Sequence, residues 1–157
     1  MRIGLVQKNV VIGDFPGNLE RYRKGYEEAS EKGAELVVFP ELATTGYPPR
    51  DLLALPDFIE ANLAMVQDMA TWTLSGPPII VGYIEKNREA IGNDLLNAAA
   101  ILEGGKQTAT VHKSLLPSYD VFDEDRYFEH CTSREPVKIG KHTIGVTICE
   151  DIWSSPE

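Results

Sequence analysis

A chain of 157 residues is long enough for one domain that buries about 70% of its unfolded surface, so length alone demands no partner to complete a core. A composition of 43% hydrophobic and 25% charged residues, with a formal net charge of −9, marks a soluble globular protein and excludes an electrostatic grip on nucleic-acid phosphates. The N-terminus lacks a basic segment followed by a long apolar run, so no export signal or membrane span is read. Cys131 and Cys149 are then free thiols in a reduced, cytoplasmic setting. His112, His130 and His142 have no second ligand at zinc-like spacing, and no metal site is expected.

In chain order, Met1 to Gln7 reads as a first strand, and Gly13-Asp14-Phe15-Pro16-Gly17 as a turn cluster. Asn18 caps a predicted helix over 19–32, in which Leu19, Tyr22, Tyr26 and Ala29 recur at helical spacing. Glu20 sits in its first turn, and Gly33 offers a left-handed stop. Leu36 to Phe39 is a buried strand ended by Pro40, and the strand–helix–strand order predicts a crossover with parallel pairing. Pro40 to Pro56 is a long loop holding four prolines, of the length that is usually functional or disordered; its Leu, Tyr and Pro content argues against disorder. Pro56 opens a second helix reaching about Leu74, with Ile59, Leu63, Val66 and Ala70 on one face. Ile79 to Tyr83 is another strand. Leu95 to Leu102 and Gln107 to His112 form a hairpin about Gly104-Gly105. Val137 to Ile139 and Thr143 to Ile148 form a second, with Gly140-Lys141-His142 as its turn. The fold class is α/β, a parallel start with an antiparallel continuation.

Three strands end alike, each opening a loop on a reactive side chain: Glu41, Lys113 and Cys149. A thiol must lose its proton to attack, and a carboxylate in a partly desolvated pocket takes that proton well. Glu41 suits that role. Negative charge that develops on the attacked group is stabilised by a fixed ammonium, for which Lys113 is suited, and by a backbone N–H beside the nucleophile, that of Glu150. Taken singly, each has a plainer reading: a solvated loop acid, an exposed edge charge, and a cysteine packed as a small hydrophobe. The joint pattern of acid, cation and thiol at strand ends favours the chemical reading.

The flanking residues carry a family resemblance. Phe39-Pro40-Glu41-Leu42-Ala43-Thr44-Thr45-Gly46-Tyr47, His112-Lys113-Ser114-Leu115-Leu116-Pro117 and Ile148-Cys149-Glu150-Asp151 resemble the three catalytic segments of the nitrilase (carbon-nitrogen hydrolase) superfamily, in their usual order. The longer strings Thr45 to Leu53, Leu116 to Phe128 and Gly145 to Trp153 resemble the N-terminal glutaminase domain of glutamine-dependent NAD synthetases.

The resemblance implies a four-layer αββα sandwich with a mixed sheet, in which Cys149 attacks the side-chain amide of glutamine, Glu41 is the base and Lys113 stabilises the intermediate. It further implies that Glu124 supports Lys113, and that Tyr47, Tyr119 and Phe122 line the glutamine pocket and the ammonia exit. It implies no cofactor or metal in this domain. ATP and magnesium belong to a C-terminal synthetase domain, absent here, that amidates nicotinic acid adenine dinucleotide to NAD. The family continues well past the cysteine, so residues 1–157 read as a partial carbon-nitrogen hydrolase domain that ends at Ser154-Ser155-Pro156-Glu157. Such a piece is expected to associate or to be poorly soluble through uncovered apolar surface; a homo-oligomer is expected, with neither nucleic acid nor membrane as partner. A stand-alone amidase for another small amide, and an inactive assembly module, are the other readings.

Overall fold

In the computed structural model, which describes residues 1–89, 91–133 and 135–153, the first strand β1 (Ile3–Leu5) leads into helix α1 (Phe15–Glu31). Tyr22 and Tyr26 are buried along α1, and they cluster with Val37 and Phe39 of the next strand segment. The helix starts upstream of the expected Leu19 because Asp14, not Asn18, is its cap. The Asp14 carboxylate accepts the Gly17 N–H at 3.0 Å, and Pro16 stands in the first turn, where a missing N–H breaks no helical bond. Asn18 is buried within the helix, exchanging hydrogen bonds of 3.0 and 2.7 Å with the backbone of Val11, and Glu20 falls beyond the first turn. Gly33 adopts φ 77° at the helix end, as the missing Cβ allows.

The main sheet has the order β1-β2-β3-β4-β5, with β2 (Leu36–Val38), β3 (Ile79–Lys86), β4 (Leu95–Glu103) and β5 (Lys106–His112). The pairs β1–β2 and β2–β3 are parallel, and β3–β4 and β4–β5 antiparallel. The predicted crossover is therefore present, and the β4–β5 hairpin turns through Gly104 and Gly105 at φ 60° and 83°. Helix α2 (Pro56–Trp72) lies beside α1, burying Ile59, Met65, Val66, Met69 and Ala70. The loop between β2 and α2 is not featureless: Leu42 to Gly46 is buried, and Arg50–Ala54 is a short 3-10 helix.

Side chains alternate across the sheet, as a period of two requires. Val37, Ile79, Val81 and Tyr83 face the helices, whereas Leu36, Ile80, Ala99 and Ile101 face the other way, onto Val137, Ile139 and Ile148. The second hairpin, β6 (Val137–Ile139) and β7 (His142–Ile144), thereby begins a further layer, in the helix, sheet, sheet order of an αββα sandwich. The expected strand over Thr143 to Ile148 is paired only to Ile144. Val146 and Ile148 still pack on the sheet face. Apolar alternation reports which side of a segment is buried and not whether a neighbour completes its ladder. The reading of the chain's end at Ser154 to Glu157 lies outside the described residues.

Candidate active site

Because β2, β3 and β5 run in one direction and β4 in the other, the carboxyl ends of the first three meet the amino end of β4 at one edge of the sheet. Glu41 follows β2, Lys113 follows β5, and Asn97 lies near the start of β4. That edge gathers the chemistry.

The Glu41 loop is fixed from two sides. The Gly82 N–H donates to Pro40 O at 3.2 Å and Thr44 N–H to Gly82 O at 3.3 Å, so β3 continues against the loop where β2 has ended. A Cβ on Gly82 would stand 2.4 Å from Pro40 O, 2.5 Å from Leu42 N and 2.7 Å from Glu41 Cα; only glycine permits this approach. On the helix side, Thr44 Oγ1 donates to Asn62 Oδ1 at 2.7 Å, and the Asn62 amide exchanges hydrogen bonds of 3.0 and 2.7 Å with the Ile84 backbone.

Lys113 is buried, and its Nζ donates to Glu41 Oε1 and to Glu124 Oε2, each at 2.7 Å. Tyr47 Oη donates to Glu124 Oε1 at 2.9 Å. Asn97, which the sequence reading passed over within an apolar strand, donates from Nδ2 to Glu41 Oε1 at 2.7 Å and to Glu124 Oε2 at 3.3 Å. Its signal was a lone amide in Leu-Leu-Asn-Ala-Ala-Ala. Phe122 stacks between Tyr47 and Tyr119, with ring centroids 6.2 and 5.5 Å away, and Tyr119 Oη donates to Glu150 Oε2 at 2.9 Å. The three aromatic residues singled out in the sequence thus lie in one cluster of ring contacts.

Cys149 is exposed and opens a 3-10 turn, Cys149–Trp153, at φ 47°. A left-handed cysteine costs about 1 kcal/mol or more and needs restraint from its surroundings. Buried Asp151 supplies it: Oδ1 accepts the N–H groups of Ser114 (2.9 Å) and Leu115 (3.0 Å), and Oδ2 accepts that of Ile148 (3.1 Å). This carboxylate, also unread in the sequence, ties the Cys149 turn to the loop that Lys113 opens.

One ammonium serves two carboxylates, and the titration of the cluster follows. Burial works to lower the Lys113 pKa, but hydrogen bonds to Glu124 and Glu41 more than offset it, and the ammonium is held above its ordinary value. Burial raises Glu124, with the Lys113 hydrogen bond opposing, so this buried acid holds a proton more tightly than a solvated glutamate despite its cation. Burial and then the negative charge of Glu41 push the Cys149 thiol up, while Lys113 pulls it down. Burial and the charge of Glu124 raise Tyr47 in the same way, so it stays a donor. The resting cysteine is a thiol. Among the described residues, no group of three or more His, Cys, Asp or Glu side chains could hold a metal ion, and no helix is long and apolar enough to cross a membrane.

A mixed α/β sheet with a thiol, an ammonium and two carboxylates at one edge suits acyl transfer through sulfur to water. The chain belongs to the carbon-nitrogen hydrolase family, whose model matches residues 2–156. It is 40% identical, over its whole length, to the glutamine-dependent NAD(+) synthetase of Thermotoga maritima, and spans about 27% of that relative. Among solved structures it is similar to the glutamine-dependent NAD+ synthetase of Acinetobacter baumannii bound to adenosine diphosphate, at 30% identity and a TM-score of 0.86, covering 97% of this chain and 28% of that one. A carbon-nitrogen hydrolase from Helicobacter pylori G27 shares the fold, at 23% identity and a TM-score of 0.78 over 97% of this chain and 52% of its own. The fold is the expected nitrilase fold.

Proposed function

We propose that this chain is the glutamine amidohydrolase portion of a longer, cytoplasmic glutamine-dependent NAD synthetase. Glu41 takes the Cys149 proton as sulfur adds to the side-chain amide carbon of glutamine. The oxyanion is met by Lys113 and the Glu150 N–H, each such donor being worth about 3 kcal/mol of transition-state stabilisation. Protonated Glu41 returns its proton to the departing amine, ammonia leaves, and the thioester is hydrolysed to glutamate by a water that gives its proton to Glu41, which passes it to the departing Cys149 thiolate. Glu124 holds the lysine in place, and Tyr47, Tyr119 and Phe122 form the glutamine wall. The ammonia is consumed in a synthetase domain further along the chain, which takes ATP and magnesium and amidates nicotinic acid adenine dinucleotide. The complete enzyme is a homo-oligomer.

The observation that carries this reading is Lys113 Nζ, bonded at 2.7 Å to both Glu41 and Glu124 within electrostatic reach of Cys149. The similarity to glutamine-dependent synthetases supports the choice of glutamine. The test is the intact mass of the protein after exposure to a glutamine-like diazoketone, with Cys149→Ala as control. A single adduct, lost in the control, is expected. An adduct that survives in Cys149→Ala, or none at all on the full natural chain, would reject this assignment.

A further inference from the structure

Three asparagines of this chain are almost completely buried, and two of them are satisfied at both ends of the amide. Asn18 exchanges donor and acceptor bonds with Val11, and Asn62 does so with Ile84 while accepting from Thr44. Asn97 differs. Its Nδ2 donates to both Glu41 Oε1 and Glu124 Oε2, and its buried Oδ1 has no hydrogen-bond partner among the described residues. An unmet buried acceptor costs on the order of 1–3 kcal/mol. Rotating the amide by half a turn would not relieve it, because Oδ1 would then face two carboxylate oxygens. The orientation is dictated by the acids.

The bonds to Glu41 fall unevenly. Lys113 Nζ and Asn97 Nδ2 both reach Oε1, at 2.7 Å each, and neither reaches Oε2. Two donors converging on one oxygen, one from β4 and one from the residue that follows β5, fix the rotation of the carboxylate and leave the lone pairs of the other oxygen uncommitted. Lys113 alone would hold a point and not a plane. We infer that Asn97 is the positioning residue of the base: its amide NH2, donating to both Glu41 Oε1 and Glu124 Oε2, sets the carboxylate plane that keeps Glu41 Oε2 available for the thiol proton. The orphaned Oδ1 is the cost of that arrangement. The inference rests on the proposed roles of Glu41 and Cys149, and adds the residue that aligns them.

The test compares Asn97→Leu, Asn97→Asp, Glu41→Gln and Cys149→Ala in the full natural chain. It reads kcat and KM for ammonia release from glutamine, the pH midpoint of iodoacetamide alkylation at the Cys149 peptide, and the thermal melt. Leucine keeps the branched shape and the number of side-chain heavy atoms and removes the donor. Asn97→Leu is expected to fold, to lose about 10–100-fold in kcat with KM within about threefold, and to move the alkylation midpoint in the same direction as Glu41→Gln but less far. Aspartate donates only while protonated, so the activity of Asn97→Asp relative to the parent is expected to fall as pH rises. An unchanged kcat or alkylation midpoint in Asn97→Leu overturns the inference. If Asn97→Leu does not fold, a pH-independent deficit in Asn97→Asp overturns it. Glutamine turnover that survives in Cys149→Ala or Glu41→Gln rejects the underlying assignment instead, whatever Asn97 does.

Discussion

Asp151 is bonded to the backbone of Ser114: Oδ1 takes the Ser114 N–H at 2.9 Å, and with it that of Leu115, while Oδ2 takes the N–H of Ile148. Segments that meet only through the tertiary fold are thereby held by one buried carboxylate. Replacing it by alanine strands those donors. Asp151→Ala is expected to lower stability by about 3 kcal/mol in a denaturant titration, and to lower turnover further at temperatures where the fold is intact. Asp151→Asn keeps one acceptor oxygen but presents an NH2 group to a backbone donor. It should fall between the two.

Removing any of the reacting groups should abolish glutamine turnover without unfolding the protein. Cys149→Ala and Glu41→Gln change few packing contacts, and Lys113→Ala removes an ammonium whose loss leaves Glu41 and Glu124 facing each other. Ammonia release measured beside a thermal melt separates the effects. We expect turnover at the detection limit in all three and a lowered melting temperature in Lys113→Ala alone.

The alkylation of Cys149 carries a sign that turnover does not. Its thiol is raised by burial and then by the charge of Glu41, and lowered by Lys113. The thiolate fraction at neutral pH is therefore small, and the rate with iodoacetamide should keep climbing through the usual thiol range. Glu41→Gln removes a raising influence, so its midpoint moves down and it alkylates faster at neutral pH while failing to turn over glutamine. Lys113→Ala moves the midpoint up. Mass mapping of the Cys149 peptide against pH, with Cys131 as internal reference, reads all three.

Gly82→Ala tests the approach of β3 to the Glu41 loop. The added methyl would meet main-chain atoms of Pro40, Glu41 and Leu42, none of which can swing aside. A destabilisation of about 1–3 kcal/mol is expected, with a loss of kcat exceeding what the same destabilisation causes at a distant site. Ala100→Gly in β4, buried in the same sheet, is a suitable comparison.

Much of this architecture is legible in the chain itself. Tyr22 and Tyr26 mark a helix face, the apolar run after Gly33 marks the parallel partner of β1, and paired glycines mark a hairpin. These are local patterns with fixed periods. The errors have a common physical source. Asn18 was read as a cap because Gly13 to Gly17 was read as a turn cluster, yet proline is at home in a helical first turn and Asp14 caps the helix from within that cluster. The strand ending at Cys149 was drawn too long because burial of Val146 and Ile148 imitates pairing. Asn97, Gly82 and Asp151 escaped notice for another reason: each acts on residues far away along the chain, and no period in the sequence records such a contact.

The single lysine between two acids has a further consequence. With both carboxylates ionised, Glu41, Glu124 and Lys113 together carry one negative charge before Cys149 gives up its proton. Releasing that proton to bulk solvent would double the charge in a largely buried space. Passing it to Glu41 leaves the total unchanged. On the roles proposed for Glu41 and Cys149, the sulfur proton leaves on ammonia and the hydrolytic water supplies its replacement through Glu41, so the charge of the cluster stays constant and each cycle ends with the same proton inventory it began with.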